Sequence, residues 1–359
     1  MAFNPRRLSV ARKRRLLNQK ALADLCRLTP HTISRCELGS TVPTDENVSA
    51  FATALKFPRE FFFGPDLDEP DPEVVSFRSQ KSMTAATRDA ALSAGAIGFM
   101  LCDWIEQRFD LPACKLPDLH LYDPEQAART LRHDWLLGEK PVSNMVHLLE
   151  SKGVRVFSLA ENSKKVNAFS LWRNEKAYVF LNTVKSAENS RFDAAHELGH
   201  LVMHQDGKVT GREAEDQANR FASAFLMPKA DVLATLPRVH YLDQVVRAKK
   251  RWRVSVAALN YRLHKLEVTS DWKYRDFCIQ LSGRGYGVAE PDEIEREHSI
   301  VWQKVMKALW SEKTTQRDIA KMLHVPEGEV DALFFGILSD GTKPVVGEAL
   351  RVVKAAEGM

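Results

Sequence analysis

The run His196-Glu197-Leu198-Gly199-His200 lies inside a stretch that only a buried helix accommodates. Ala194, Ala195, Leu198, Leu201, Val202 and Met203 cover most of that helix's circumference, so a domain has to be wrapped around it. The two histidines are four apart and stand one turn from each other on one face, where their imidazoles can hold a single ion. Neutral histidines on so apolar a helix need partners, and a metal is one. Glu197, next to them, can reach a metal-bound water as general base. The plainer reading is two surface histidines, and it has to treat the apolar flanks as accident.

A catalytic zinc site takes three protein ligands and a water. His204 is eight residues from His196, ~12 Å along one helix axis and too far for bonds of ~2 Å to one ion. It reads as a core residue or as support for a ligand. The next predicted helix, Arg212 to Leu226, puts Ala218, Phe221, Ala222, Phe225 and Leu226 on its apolar face. Glu215 falls on that face, whereas Glu213 and Asp216 turn to solvent. A carboxylate there is costly unless paired or metal-bound. The candidate ligands are therefore His196, His200 and Glu215, with Glu197 as the candidate catalytic base. Zinc suits such a donor set best, with manganese or iron as alternatives. Asp193 either orients a ligand histidine or caps the helix.

Upstream of this helix the hydrophobic period changes. Val154 to Leu159, Ala168 to Trp172 and Ala177 to Leu181 read as strands, with Arg173-Asn-Glu-Lys176 as a hairpin connection. A small antiparallel sheet is expected, and its edge near Ala168–Trp172 or Tyr178–Leu181 either binds an extended peptide or is an ordinary edge. Helices are predicted over Ala85 to about Arg108, Pro124 to Leu137 and Val142 to Lys152.

The amino-terminal end has a different chemistry. No acid precedes Asp24, yet Arg6, Arg7, Arg12, Lys13, Arg14, Arg15 and Lys20 do, although the whole chain carries only +4 (51 Lys and Arg against 47 Asp and Glu). Such a surface faces phosphate or is merely a solvated basic end. The residues that follow favour the first. Gln19 to Ala23 is helical, Arg27-Leu28-Thr29 breaks it, and Thr29 with Pro30 starts a second short helix ending at Gly39. That is a helix-turn-helix, with His31, Thr32 and Arg35 facing base edges of double-stranded DNA, and Gln19, Lys20 and the basic first helix on phosphates.

The chain has 359 residues, too many for one ordinary core, and 44% of them are hydrophobic, ample for packed domains. The fold class expected is multidomain, mainly α plus α+β. A helix-turn-helix bundle spans 1–63. An acidic, proline-rich linker over 64–80 is expected not to pack. The central domain spans 81–270, with a helical lead-in to 152, and a mostly helical region covers 271–359. No apolar run approaches the ~20 residues a bilayer needs, and no signal-peptide pattern opens the chain. Five scattered cysteines argue against a disulfide framework. A soluble cytoplasmic protein is expected.

Two further features belong to the carboxy-terminal half. Arg247, Lys249, Lys250, Arg251 and Arg253 beside Trp252 form a basic cluster, either a solvated helix face or a nucleic-acid contact. Near 314–336, Gln316-Arg-Asp-Ile-Ala320…Val325-Pro326…Val330…Leu333…Gly336 lies over Gln19…Gly39 at a constant offset. This second helix-turn-helix-like pattern offers Glu327, Glu329 and Asp331, which repel phosphate, so it is expected to pack or to bind a partner.

Two resemblances can now be stated. Gln19…Leu22-Ala23…Thr29…Ile33-Ser34…Glu37-x-Gly39…Pro43 resembles the XRE, or lambda-repressor-like, DNA-binding domains, except that Arg27 holds the turn position usually held by glycine. Val166-Asn-Ala-Phe-Ser170, Phe180-Leu-Asn182, Arg191 to His204 and Glu215-x-x-Ala218-x-x-Phe221-Ala222…Leu226-Met-Pro228 resemble the ImmA/IrrE metallopeptidases over roughly 140–270. That resemblance implies a gluzincin-like fold with zinc on His196, His200 and Glu215, and Glu197 catalytic. It also implies cleavage of a protein substrate such as an XRE-type repressor, in stress responses or mobile elements. The other functional reading is a non-proteolytic transcriptional regulator whose peptidase-like domain senses or binds a partner. Paired operator half-sites would suit a homodimer.

Overall fold

The computed structural model describes residues 2–71, 76–77, 84–159 and 168–336. Its first four helices are α1 (Pro5–Arg14), α2 (Gln19–Cys26), α3 (Pro30–Glu37) and α4 (Asp45–Leu55). Each starts where a side chain caps it: Asn4, Asn18, Thr29 and Thr44 accept from backbone N–H groups two or three residues on. They close over Leu8, Leu22, Ala23, Ile33, Phe51 and Phe61, all fully buried. The α2–α3 turn passes through Arg27 at φ +56°, the left-handed conformation that glycine takes without strain.

This bundle is docked, not tethered. Helix α1 packs along α5 (Ala85–Glu106), a 22-residue helix buried over most of its length. The segment expected to stay clear of the body packs as well: Leu67 and Pro70 are buried, Arg7 Nε donates to the Pro65 carbonyl at 2.7 Å, and Asp68 pairs with Arg173. The prolines keep it extended, but its acids meet cations already fixed on α1 and on the sheet. The part of the linker expectation over 72–75 and 78–80 lies outside the described residues.

The sheet contains β1 (Ser76–Phe77), β2 (Arg155–Leu159), β3 (Phe169–Arg173) and β4 (Lys176–Asn182), in the order β1-β3-β4-β2. A turn with both Asn174 and Glu175 at positive φ joins β3 to β4 as an antiparallel hairpin. The antiparallel expectation fails at β2, which pairs parallel with β4. The residues explain why: β4 is buried on both faces from Ala177 to Asn182, as a central strand is, and takes β2 on its far side. Neither β3 nor β4 is the fully open edge expected, since β1 covers part of β3.

Two features bring the sheet close to helices. A Cβ on Gly98 of α5 would meet the Phe180 ring at 2.9 Å, so only glycine lets that helix lie on the sheet. On the other side lies α8 (Ala187–Met203), preceded in the chain by α6 (Pro124–Asp134) and α7 (Met145–Ser151). Helix α9 (Gly211–Leu226) crosses α8 at Gly199, where a Cβ would stand 3.0 Å from Phe221.

The rest is helical: α10 (Lys229–Thr235), α11 (Leu242–Trp252), α12 (Val256–Lys265), α13 (Asp271–Gly283), α14 (Ile300–Ser311), α15 (Gln316–Leu323) and α16 (Glu327–Leu333). Buried ion pairs tie it down. Arg191 of α8 meets Glu297, which also accepts from the first N–H groups of α7. The basic cluster around α11 is divided: Lys249 is buried between Glu188 and Glu290, Arg251 pairs with Asp231 and Arg253 donates to the Ser143 carbonyl, while Arg247 and Lys250 stay on the exposed face. Glu150 accepts from Ser299 and from the first N–H groups of α14; burial pushes its carboxyl up to about 7. An aromatic column, Phe169–Phe180–Phe157–Trp302–Phe334, runs through the sheet with centroid spacings of 4.6 to 5.4 Å.

Candidate metal centre and reading head

Glu215 comes to the two histidines because α9 crosses α8 at Gly199. His196 Nε2 and His200 Nε2 are 3.1 Å apart, and the Glu215 carboxylate lies 3.4 and 3.3 Å from them. Ligand atoms at 2.0–2.1 Å in a zinc tetrahedron are about 3.3 Å from one another. The two nitrogens and the carboxylate, which turns one oxygen to each of them, are thus spaced as donors around one ion are, and the nitrogen and oxygen donor chemistry fits the same ion. Both histidines are buried, and Glu215 keeps partial access to solvent. Burial alone would raise the Glu215 carboxyl, but the hydrogen bonds and charges of the two imidazoles outweigh it and hold the group well below the carboxylate range.

The imidazoles are aimed from behind. Nδ1 of His196 lies 3.2 Å from Asn219 Oδ1, and Nδ1 of His200 lies 2.9 Å from Nδ1 of His204, which in turn reaches Gln217 at 3.1 Å. With both Nδ1 atoms engaged outward, both Nε2 atoms point at the common position. His204 is therefore a support, as its spacing required. Burial and the neighbouring His200 push its imidazole below the ordinary range, which favours the neutral ring. Asp193 pairs with Lys185 Nζ at 2.5 Å. Asn219 was missed in the sequence, although it lies one turn from Glu215 on the same helix face, a spacing that signals it.

Glu197 is fully buried beside this group. Ser170 Oγ of β3 donates to Glu197 Oε2 at 2.6 Å, fixing the carboxylate from the sheet side. The sequence carries this residue in its Ala168–Trp172 strand, but only the register of β3 against α8 puts it on the base.

The amino-terminal bundle separates the expected DNA contacts into two groups. Lys20, His31 and Arg35 are exposed on α2 and α3, with Thr32 half-buried against Thr29. Gln19 instead turns inward and donates to Glu37, which also takes the fork of Arg12. Most of the basic helix is likewise internal. Arg7 is buried, and Arg14 and Arg15 pair with Glu329 of α16. The charge run expected to face phosphate is largely a docking surface for the chain's own acids.

A helix-turn-helix carrying an exposed basic face, joined to a helix with histidines and a carboxylate gathered on one point, defines a DNA-binding regulator with a peptidase-like domain. Comparison with known families agrees at both ends. Residues 149–264 match the family model described as IrrE N-terminal-like domain, and residues 6–60 match one described as Helix-turn-helix domain. The chain is thus a helix-turn-helix domain fused to an ImmA/IrrE-like domain. No curated protein matches it as a relative. Among the described residues, no helix is long and apolar enough to cross a membrane.

Proposed function

We propose that the chain is a zinc-dependent endopeptidase that cuts a specific protein partner, such as a repressor, and that its helix-turn-helix domain brings it to DNA. The observation that carries this is the donor triangle of His196, His200 and Glu215 with Glu197 beside it. A zinc ion held there supplies Lewis acidity, which polarises a carbonyl and acidifies water. The chain's own residues supply the rest. Asn219 and the His204–Gln217 pair keep the ligand rings in one tautomer and one orientation. Glu197 takes the attacking water's proton and delivers it to the leaving amine. Ser170 holds the Glu197 carboxylate in a single rotamer. On DNA, Lys20 faces phosphate, and His31, Thr32 and Arg35 face base edges; Gln19 contributes by fixing α2 to α3 through Glu37.

Elemental analysis of the purified protein tests the metal: about one zinc per chain is expected, and Glu215→Ala should lose it. Wild type that stays metal-free after zinc is offered would sink the hydrolytic reading. Glu197→Gln should keep zinc and DNA binding and abolish cleavage.

A further inference from the structure

A second concavity lies between α6, α9 and the end of α12, apart from the metal donors. It encloses about 520 Å³, the size of a site for a small organic molecule. Asp216, Arg220 and Ser223 bring α9 to it. The first two directly follow Glu215 and Asn219, so they stand about 100° around the helix from the residues of the metal centre. Four cations and two acids line the cleft. One of the acids, Glu125, is taken by the buried Arg262, whose fork meets it at 2.7 and 2.6 Å. Arg220 keeps only a 3.8 Å contact with Asp123. Lys229 and Lys265 are exposed and meet no carboxylate among the described residues; Lys265 Nζ stands 5.4 Å from the centre of the Tyr261 ring. Two exposed lysines alone are an ordinary wet surface. The residue between them is not ordinary: Ser223 is 3% exposed, and its Oγ has no hydrogen-bond partner among the described residues. A buried hydroxyl without a partner carries a free-energy penalty that a bound ligand relieves.

We propose that this cleft binds a nucleoside monophosphate, with the phosphate held by Arg220, Lys229 and Lys265 and the base laid along Tyr261 and Leu266. A phosphate dianion presents three terminal oxygens to the three cations, in charge-assisted hydrogen bonds, and Ser223 adds a neutral one. Inorganic phosphate alone would leave most of the volume empty. The Tyr261 ring and the Leu266 side chain offer the flat apolar surface on which a base stacks. No metal donor and no DNA-facing residue lines the cleft, so the site stands whether or not the metal centre cuts a peptide.

The test is isothermal titration of the full-length, zinc-loaded protein with adenosine 5′-monophosphate at about 0.15 M salt. The nucleotide should bind at least ~10-fold more tightly than inorganic phosphate or adenosine, each of which keeps only part of the contacts. Absence of binding overturns the proposal. So does equal affinity for nucleotide and adenosine, which removes the phosphate seat, or for nucleotide and phosphate, which removes the base seat. Lys229→Ala with Lys265→Ala, both at exposed positions, should weaken the nucleotide by ~10-fold or more with Tm and zinc content unchanged. Ser223→Ala should weaken it by about 5-fold. Lys250→Ala, which removes an exposed cation on α11, should bind as wild type does. Nucleotide affinity that survives either the double lysine change or Ser223→Ala, or that falls equally in Lys250→Ala, assigns the binding to the zinc, to the DNA face or to general charge, and overturns the cleft.

Discussion

The chain contains the same turn twice and uses it in opposite ways. Helices α2 and α3 superpose in sequence on α15 and α16 at a constant offset. Gln19 corresponds to Gln316, Ala23 to Ala320, Ile33 to Val330 and Cys36 to Leu333, the last three pairs buried in both copies. Arg27 at φ +56° corresponds to His324 at φ +54°, and Gly39 at +71° to Gly336 at +64°. What differs is the exposed side of the second helix. Arg35 has Ala332 as its counterpart, and Thr32 has Glu329, which reaches across to Arg14 and Arg15 of α1. Apolar positions and the left-handed residue fix the backbone; the residues left over decide whether that backbone reads a nucleic acid or clamps its own protein.

The comparison breaks most forcefully at Glu329. Glu329→Ala removes the carboxylate that faces Arg14, nearly buried, and Arg15, partly so, and should cost roughly 3 kcal/mol in denaturant unfolding. The loss should be confined to stability, with the exposed face of α3 intact. A pH titration sharpens the point. Burial alone would raise the Glu329 carboxyl, but Arg14 and Arg15 more than reverse that and lower it. A depressed folded-state value contributes stability above the ordinary carboxylate range and loses it as pH falls through the folded value. Wild-type Tm should therefore drop more steeply below about pH 4.5 than that of Glu329→Gln.

A smaller effect, and on a different observable, is expected from Arg35→Ala. Operator affinity should weaken by about 1–3 kcal/mol with relaxed base preference, while unfolding is unchanged. Unchanged operator binding would remove the assignment of α3 as the reading helix. Smallest of all are Arg27→Gly and His324→Gly. Each relieves a left-handed non-glycine residue and should stabilise by under ~1 kcal/mol, with equal sign at both turns. Opposite signs in calorimetry would mean the two turns are not equivalent.

Much of the candidate metal centre was legible because helical spacing is rigid: two histidines four apart at His196 and His200, and an acid on the apolar face of the next helix, leave few other geometries. The same rule pointed to the second turn near 314–336. Tertiary choices were not legible. Nothing local says that β2 joins β4 in parallel, since pairing partners are set by which strand is buried on both faces. Nor does a run of arginines announce its partner. Arg12, Arg14 and Arg15 read as a phosphate surface until Glu37 and Glu329, 25 and more than 300 residues on, are brought to them. Ser170 belongs to the same kind: a hydroxyl becomes part of a site only through the register of its strand.

The aromatic column has a consequence at a larger scale. It begins at Phe169, in the strand whose Ser170 touches Glu197, and ends at Phe334, just past the helix whose Glu329 grips α1. The helix-turn-helix bundle and the sheet that carries Ser170 are thus keyed to opposite ends of one run of packed rings.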